Sequence, residues 1–162
     1  MARAKPLEMF TPPNVLKFKL GSGPGTIDPT LIAKADSALT DLRKDFAVWL
    51  DEQAKALAAA RDQVWTAENN QPALDDLLRW AVEIKGQGST MSFPFVTRVA
   101  SSLVGLIQGS QKTQRALPRP LIDAHVDAIR AAVRDSVTDP DDPVATALAT
   151  QLESHVAAAI KP

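Results

Sequence analysis

The chain has 162 residues, of which 45% are hydrophobic and 23% are charged, as is ordinary for one globular domain. Its formal net charge of -1 provides no long-range field for nucleic acid. The sequence contains no cysteine, which excludes disulfides, thiol catalysis and cysteine metal sites. No apolar run has the length of a signal peptide or a membrane span. We therefore expect a cytoplasmic protein with neither nucleic acid nor membrane as a partner.

Residues 1–27 are predicted to form an extended basic arm that ends in a glycine-rich hinge at residues 21–25. Four basic side chains against Glu8 give the arm a charge of +3. Apolar residues alternate with lysines over residues 16–20, which is typical of an extended segment with one apolar face. Two interpretations stay open: a strap over the chain's own bundle, and a docking strand for a partner or a second copy.

Residues 28–162 are predicted to form a helical bundle of five helices with no strand. Asp28 and Pro29 are the residue types that begin a helix. Apolar residues spaced by three and four then continue to Val64, with a gap at Gln53 where the helix could break.

Four further helices are predicted from first-turn prolines and apolar spacing, beginning near Pro72, Pro94, Pro120 and Pro143. The helix from Pro94 is expected to end at Gly109. Short loops between amphipathic helices make neighbours antiparallel, so the expected fold is an all-α up-down bundle. The apolar stripes are expected to be buried, including Ile32, Leu39, Trp49 and Leu148.

The most informative segment surrounds Val82, Lys85 and Gly86. At 100° per residue, Val82 lies on the flank of the buried stripe centred at Ala81, and Lys85 lies one turn beyond on the same side. Lys85 is thereby placed to meet an anion such as phosphate. Glycine inside a helix costs about 1 kcal/mol relative to alanine. Gly86 therefore indicates close approach by another molecule, tight helix packing or a loosened helix end.

The run Arg79-Trp80-Ala81-Val82-Glu83-Ile84-Lys85-Gly86-Gln87-Gly88 resembles the signature of histidine-phosphotransfer (Hpt) domains of bacterial two-component signalling. In that signature a histidine is followed three residues later by lysine and then by glycine. Lys85 and Gly86 match the last two, and Val82 stands in the histidine place. Over about residues 31–156, the resemblance implies an antiparallel four-helix bundle of Hpt type, here with an additional helix and the arm.

The same resemblance implies a response-regulator receiver domain or a histidine kinase as the partner, with no cofactor. Valine has neither a lone pair nor an exchangeable proton, so Val82 cannot accept phosphate. We therefore expect a pseudo-Hpt protein that binds its partner without enzymatic activity. The predicted binding residues are Arg79, Val82, Lys85, Gly86, Gln87, Ser89 and Arg98.

Two alternatives remain open. The first is phosphotransfer through His125 or His155, although both are predicted to be hydrogen-bonded residues at the core edge, and neither is followed by lysine and glycine at the required spacing. The second is a helical adaptor that recruits a partner through residues 1–27. No metal site is expected, because the two histidines lie on different helices. The acidic run Asp139-Pro140-Asp141-Asp142-Pro143 is predicted to cap a helix, since it lacks the glycine and glutamate of a calcium loop.

Overall fold

The structure is a computed structural model that describes residues 29–68 and 70–161, except for the side chains of residue 35 and residues 40–45. The predicted arm, residues 1–27, lies outside this described part, and so does the predicted capping residue Asp28.

The chain divides into two units, Met1–Ala38 and Leu39–Pro162. In the first unit, residues 29–38 are helical, and both Leu31 and Ile32 are exposed. The second unit contains the hydrophobic core.

Five helices make up most of the described residues, in the order α1 (Pro29–Thr66), α2 (Gln71–Thr90), α3 (Pro94–Thr113), α4 (Arg119–Arg134) and α5 (Pro143–Ala159). No strand occurs in residues 29–68 and 70–161, so the all-α prediction is confirmed. Each helix has a proline at its first or second position, where the missing N–H costs no helical hydrogen bond. None of the helices in this part of the chain has the length and hydropathy that crossing a membrane requires.

The acidic run before α5 caps that helix, as predicted. Asp142 is the N-cap residue, and its carboxylate accepts a hydrogen bond of 2.8 Å from the backbone N–H of Ala145. This bond satisfies one of the free amides in the first turn. One turn earlier, Asp139 accepts from the N–H of Asp141 at 2.9 Å.

α1 is continuous through Gln53, so the apolar gap there does not mark a break. The Gln53 side chain is buried, and its Oε1 has no hydrogen-bond partner among the described residues. Helical spacing places Gln53 in the buried stripe between Leu50 and Leu57, both of which are fully buried. The polar residue therefore occupies a core position.

α3 continues beyond Gly109 to Thr113, so the predicted end at Gly109 is wrong. A Cβ atom at Gly109 would lie 2.8 Å from Cγ2 of Ile160, which shows that this glycine permits close packing at the end of α5. The helix instead ends at Gln114, whose left-handed φ of 53° turns the chain away.

Leu39–Pro162 has one core to which all five helices contribute. Each of the first four supplies a fully buried large side chain, and α5 supplies Leu152. Full burial of such a side chain contributes about 1.5–3 kcal/mol to stability. The fully buried examples are Leu57, Leu77, Leu103 and Ile129.

α3 lies in contact with α2, α4 and α5. Near its start, Arg98 hydrogen-bonds to Glu153 of α5, and near its end Gly109 meets Ile160 just after α5. The two helices therefore run side by side in the same direction.

α1 and α4 run in opposite directions. Arg61 of α1 pairs with Asp127 of α4 at 3.0 Å, while one turn further along α1 the Trp65 ring is covered by Arg119 at the start of α4. Contacts thus move back along α4 as the chain advances along α1.

Three apolar residues of this unit that were predicted to be buried are exposed, namely Leu39, Trp49 and Leu148. Trp49 is 50% exposed, although its ring makes an edge contact with Phe46. The spacing of apolar residues determines which of them share a helix face, but burial also requires a packing partner opposite that face. The predictions for Trp49 and Leu148 are wrong because these residues lie at the edge of the covered face of their helices, beside the buried Leu50 and Ala149.

Candidate functional site

The residues that match the Hpt signature lie on one exposed face of α2. Val82 is 48% exposed, and Lys85, Gly86 and Ser89 are also exposed. Residues three, four and seven positions apart on a helix share a face. The adjoining face carries Ala81 and Ile84, which are fully buried.

Two glycines near the end of α2 have different physical surroundings. A Cβ atom at Gly88 would lie 2.7 Å from Oγ1 of Thr97, so Gly88 permits the close approach of α2 and α3. A Cβ atom at Gly86 would have no atom within 4 Å. Tight packing of helices therefore does not explain Gly86 in the described part of the chain.

The two basic residues of the α2 face differ in their partners. Arg79 pairs with Asp76 at 2.9 Å and lies over the Trp80 ring at 4.4 Å. Lys85, in contrast, has neither an ion pair nor a hydrogen bond with any described residue. Its ammonium group is therefore available to an external anion.

Gln87 and Arg98 are less accessible than the other predicted binding residues. Gln87 is half-buried, and its Oε1 is shielded from solvent without a hydrogen-bond partner among the described residues. Arg98 makes two hydrogen bonds to Glu153, from Nε to Oε1 at 2.6 Å and from Nη2 to Oε2 at 2.7 Å. These bonds raise the pKa of Arg98 and lower the pKa of Glu153.

A cleft of about 620 Å³ opens between α2, α3 and α5. Lys85, Ser89 and Arg98 line it, whereas Arg79, Val82, Gly86 and Gln87 do not. The structure therefore divides the predicted binding residues between the outer face of α2 and this cleft.

Of the five hydroxyl-bearing residues of the cleft wall, only Ser89 is among the predicted binding residues. The sequence does contain a partial signal for the α3 wall, because Thr97 and Ser101 are four residues apart and therefore share a helix face. The contribution of α5 had no sequence signal, because its position depends on tertiary packing. The hydroxyl-bearing residues are Ser89, Ser92, Thr97, Ser101 and Ser102.

His125 is a buried, hydrogen-bonded residue, as expected. Its side chain is 0% exposed. Nδ1 lies 2.7 Å from the Leu121 carbonyl oxygen, and Nε2 lies 3.0 Å from Oγ of Ser102. A carbonyl only accepts, so Nδ1 carries the proton and Nε2 accepts from the Ser102 hydroxyl. Burial lowers the pKa of His125 and keeps its ring neutral.

His155 is exposed on α5, so its predicted position at the core edge is wrong. α5 directs Ala149, Leu152 and Val156 inward, and His155 falls outside this stripe. Among the described residues, no group of three histidine, aspartate or glutamate side chains is arranged to hold a metal ion.

A scan against protein-family models, a search of curated proteins and a search of solved structures each returned no match.

Proposed function

We propose that this chain is a pseudo-Hpt protein that binds the receiver domain of a response regulator through α2 and does not accept phosphate. The observation that carries the proposal is the shared exposed face of Val82, Lys85 and Gly86. These residues occupy the histidine, lysine and glycine places of the Hpt signature, and none of them is needed to build the core.

Gly86 supports a docking role through its cost to the helix. A solvent-facing glycine within a helix is about 1 kcal/mol less favourable than alanine, and no described atom lies close enough to require it. A glycine that the fold does not need is consistent with the approach of another molecule. In the proposed complex, that molecule is the receiver domain.

Lys85 supports an anionic partner. Its ammonium group has no described partner, so binding a carboxylate or phosphate there breaks no existing ion pair. Receiver domains present a phosphoaspartate to their Hpt partners, and a charge-assisted bond from Lys85 would suit that group. Val82 adds an exposed apolar contact at the centre of the same face.

The proposed lack of phosphotransfer rests on the chemistry of Val82, on the burial of His125 and on the surroundings of His155. His155 is exposed but is followed by Ala158 and Ala159 in the lysine and glycine places. Valine provides no nucleophile at the acceptor place. Both ring nitrogens of His125 are engaged, and the ring is fully buried, so a receiver domain cannot reach it without opening the core.

In the proposed Hpt-type architecture, α1 to α4 form the four-helix bundle and α5 is the additional helix beside α3. The opposite directions of α1 and α4 and the contacts of α3 with α2 and α4 support this assignment. A bound receiver domain would be withheld from its phosphodonor or output. The withheld fraction would depend on the concentration of this protein relative to the Kd of the complex.

The test is isothermal titration of the full chain with a panel of receiver domains from the same cell. We expect at least one to bind, and Lys85→Glu to weaken binding at least about tenfold because it places a like charge against the acidic receiver site. Lys112→Glu is the matched control, since Lys112 is exposed near the end of α3 and away from the α2 face. If no receiver domain binds, or if both variants weaken binding equally, the proposal is overturned.

A further inference from the structure

We propose that the cleft between α2, α3 and α5 binds a small polyol that carries one carboxylate or phosphate group. The ligand would bind the isolated protein, and its binding does not depend on a receiver domain. Three observations carry it: the volume of the cleft, the balance of its charges and the hydrogen-bonding state of its hydroxyl groups.

The volume of about 620 Å³ is within the range of small-molecule sites, roughly 300–1,000 Å³. α2 forms one wall with Lys85 and Ser89, α3 forms another with Ser101, and Glu153 closes the side towards α5. A compound with about six carbon atoms fits within this space.

The charges of the cleft favour a ligand with one anionic group. Two cations and one carboxylate line it, which gives a net charge of +1. Arg98 and Glu153 neutralise each other through two hydrogen bonds. The remaining charge belongs to Lys85, which has no described partner. His125 adds none, because its ring is neutral behind the wall of the cleft.

The hydroxyl groups of the cleft favour a ligand that both donates and accepts hydrogen bonds. Ser102 donates its proton to His125, and Thr97 donates to the Phe93 carbonyl oxygen at 2.9 Å. These two oxygens are therefore left as acceptors. The Ser101 hydroxyl makes no hydrogen bond with any described residue, so it can also donate one to a ligand. The hydroxyl groups of a polyol complement this mixture, which an apolar ligand would leave unsatisfied.

The first experiment compares three probes that share a six-carbon polyol skeleton: sorbitol, gluconate and sorbitol 6-phosphate. Each is titrated into the full-length protein without any receiver domain, and amide chemical shifts are followed by NMR. We expect gluconate, sorbitol 6-phosphate or both to bind at least about tenfold more tightly than sorbitol, with the largest shifts in the cleft. The two anions distinguish carboxylate from phosphate recognition.

Two variant pairs test the location of the site. Lys85→Gln should weaken anion binding at least about tenfold, while Lys112→Gln should leave it unchanged. Ser101→Leu should fill the cleft and block the ligand, whereas Ser154→Leu, on the exposed surface of α5 and outside the cleft lining, should not. Thermal unfolding establishes that each variant is folded, and the lysine pair decides the outcome if Ser101→Leu is not.

The proposal is overturned if neither anion binds at about 10 mM, if sorbitol binds as tightly as both anions, or if Lys112→Gln weakens binding as much as Lys85→Gln. Because no receiver domain is present, these outcomes are independent of the proposed docking function.

Discussion

The Ser102 hydroxyl donates a hydrogen bond to Nε2 of His125 across 3.0 Å, which joins the wall of the cleft to the buried side of α4. His125 in turn donates from Nδ1 to the Leu121 carbonyl oxygen. A protonated ring would lose the acceptor that holds the Ser102 proton. The fold therefore favours the neutral ring, in agreement with its lowered pKa.

The first prediction concerns the dependence of stability on pH. Because burial lowers the pKa of His125 below its ordinary value of 6.5, the unfolded chain binds a proton at a higher pH than the folded chain. The free energy of unfolding should be greatest above pH 6.5 and should fall as the pH drops through the folded pKa, by at most about 1.4 kcal/mol per pH unit.

Urea unfolding between pH 5 and pH 8 measures this dependence. His125→Gln should reduce the slope, while the exposed control His155→Gln should leave it unchanged. An equal effect of both substitutions would contradict the assignment to His125.

The second prediction concerns the two glycines near the end of α2. Gly86→Ala should raise the free energy of unfolding by about 0.5–1 kcal/mol, because Gly86 is exposed and an added Cβ meets open space. Gly88→Ala should lower it by about 1–3 kcal/mol, because its Cβ would collide with Thr97. Urea unfolding of both variants provides the measurement. Destabilisation by Gly86→Ala would show that the glycine has a structural role after all.

The third prediction is that Gly86→Leu weakens receiver binding while the protein stays at least as stable as the parent. Leucine is a better helix former than glycine, but its side chain would occupy the space left for the partner. Titration calorimetry gives the affinity and thermal unfolding gives the stability. The control is Gln108→Leu, at an exposed position of α3. Unchanged receiver affinity in Gly86→Leu would remove Gly86 from the docking surface.

The helix starts could be predicted because their signals are local. A proline and a capping aspartate act on the first turn alone, as Asp142 and Pro143 do at α5. The end of α3 could not be predicted, because glycine serves both to end helices and to let them pack closely. Only the position of Ile160, fifty-one residues further along the chain, shows that Gly109 has the second role.

The outer part of the candidate site could be predicted from helical spacing, which places Val82, Lys85 and Gly86 on one face. The cleft could not. It requires Glu153, which is 55 residues from Arg98 in the sequence, and no pattern within α5 indicates which helix it will pack against.

The most direct test of the central claim is to incubate the parent protein and Val82→His with each phosphorylated receiver domain that binds the parent. Position 82 is exposed, so histidine should be accommodated without a cavity in the core. Lys85 then lies one turn away, where its charge can stabilise a phosphoryl group. Radiolabel and alkaline mass spectrometry follow loss of phosphate from the receiver aspartate and its gain on histidine. The account predicts binding without label for the parent, and label at position 82 for the variant. Stable label on His125 or His155 of the parent would contradict it, as would a variant that binds but takes no label from any receiver.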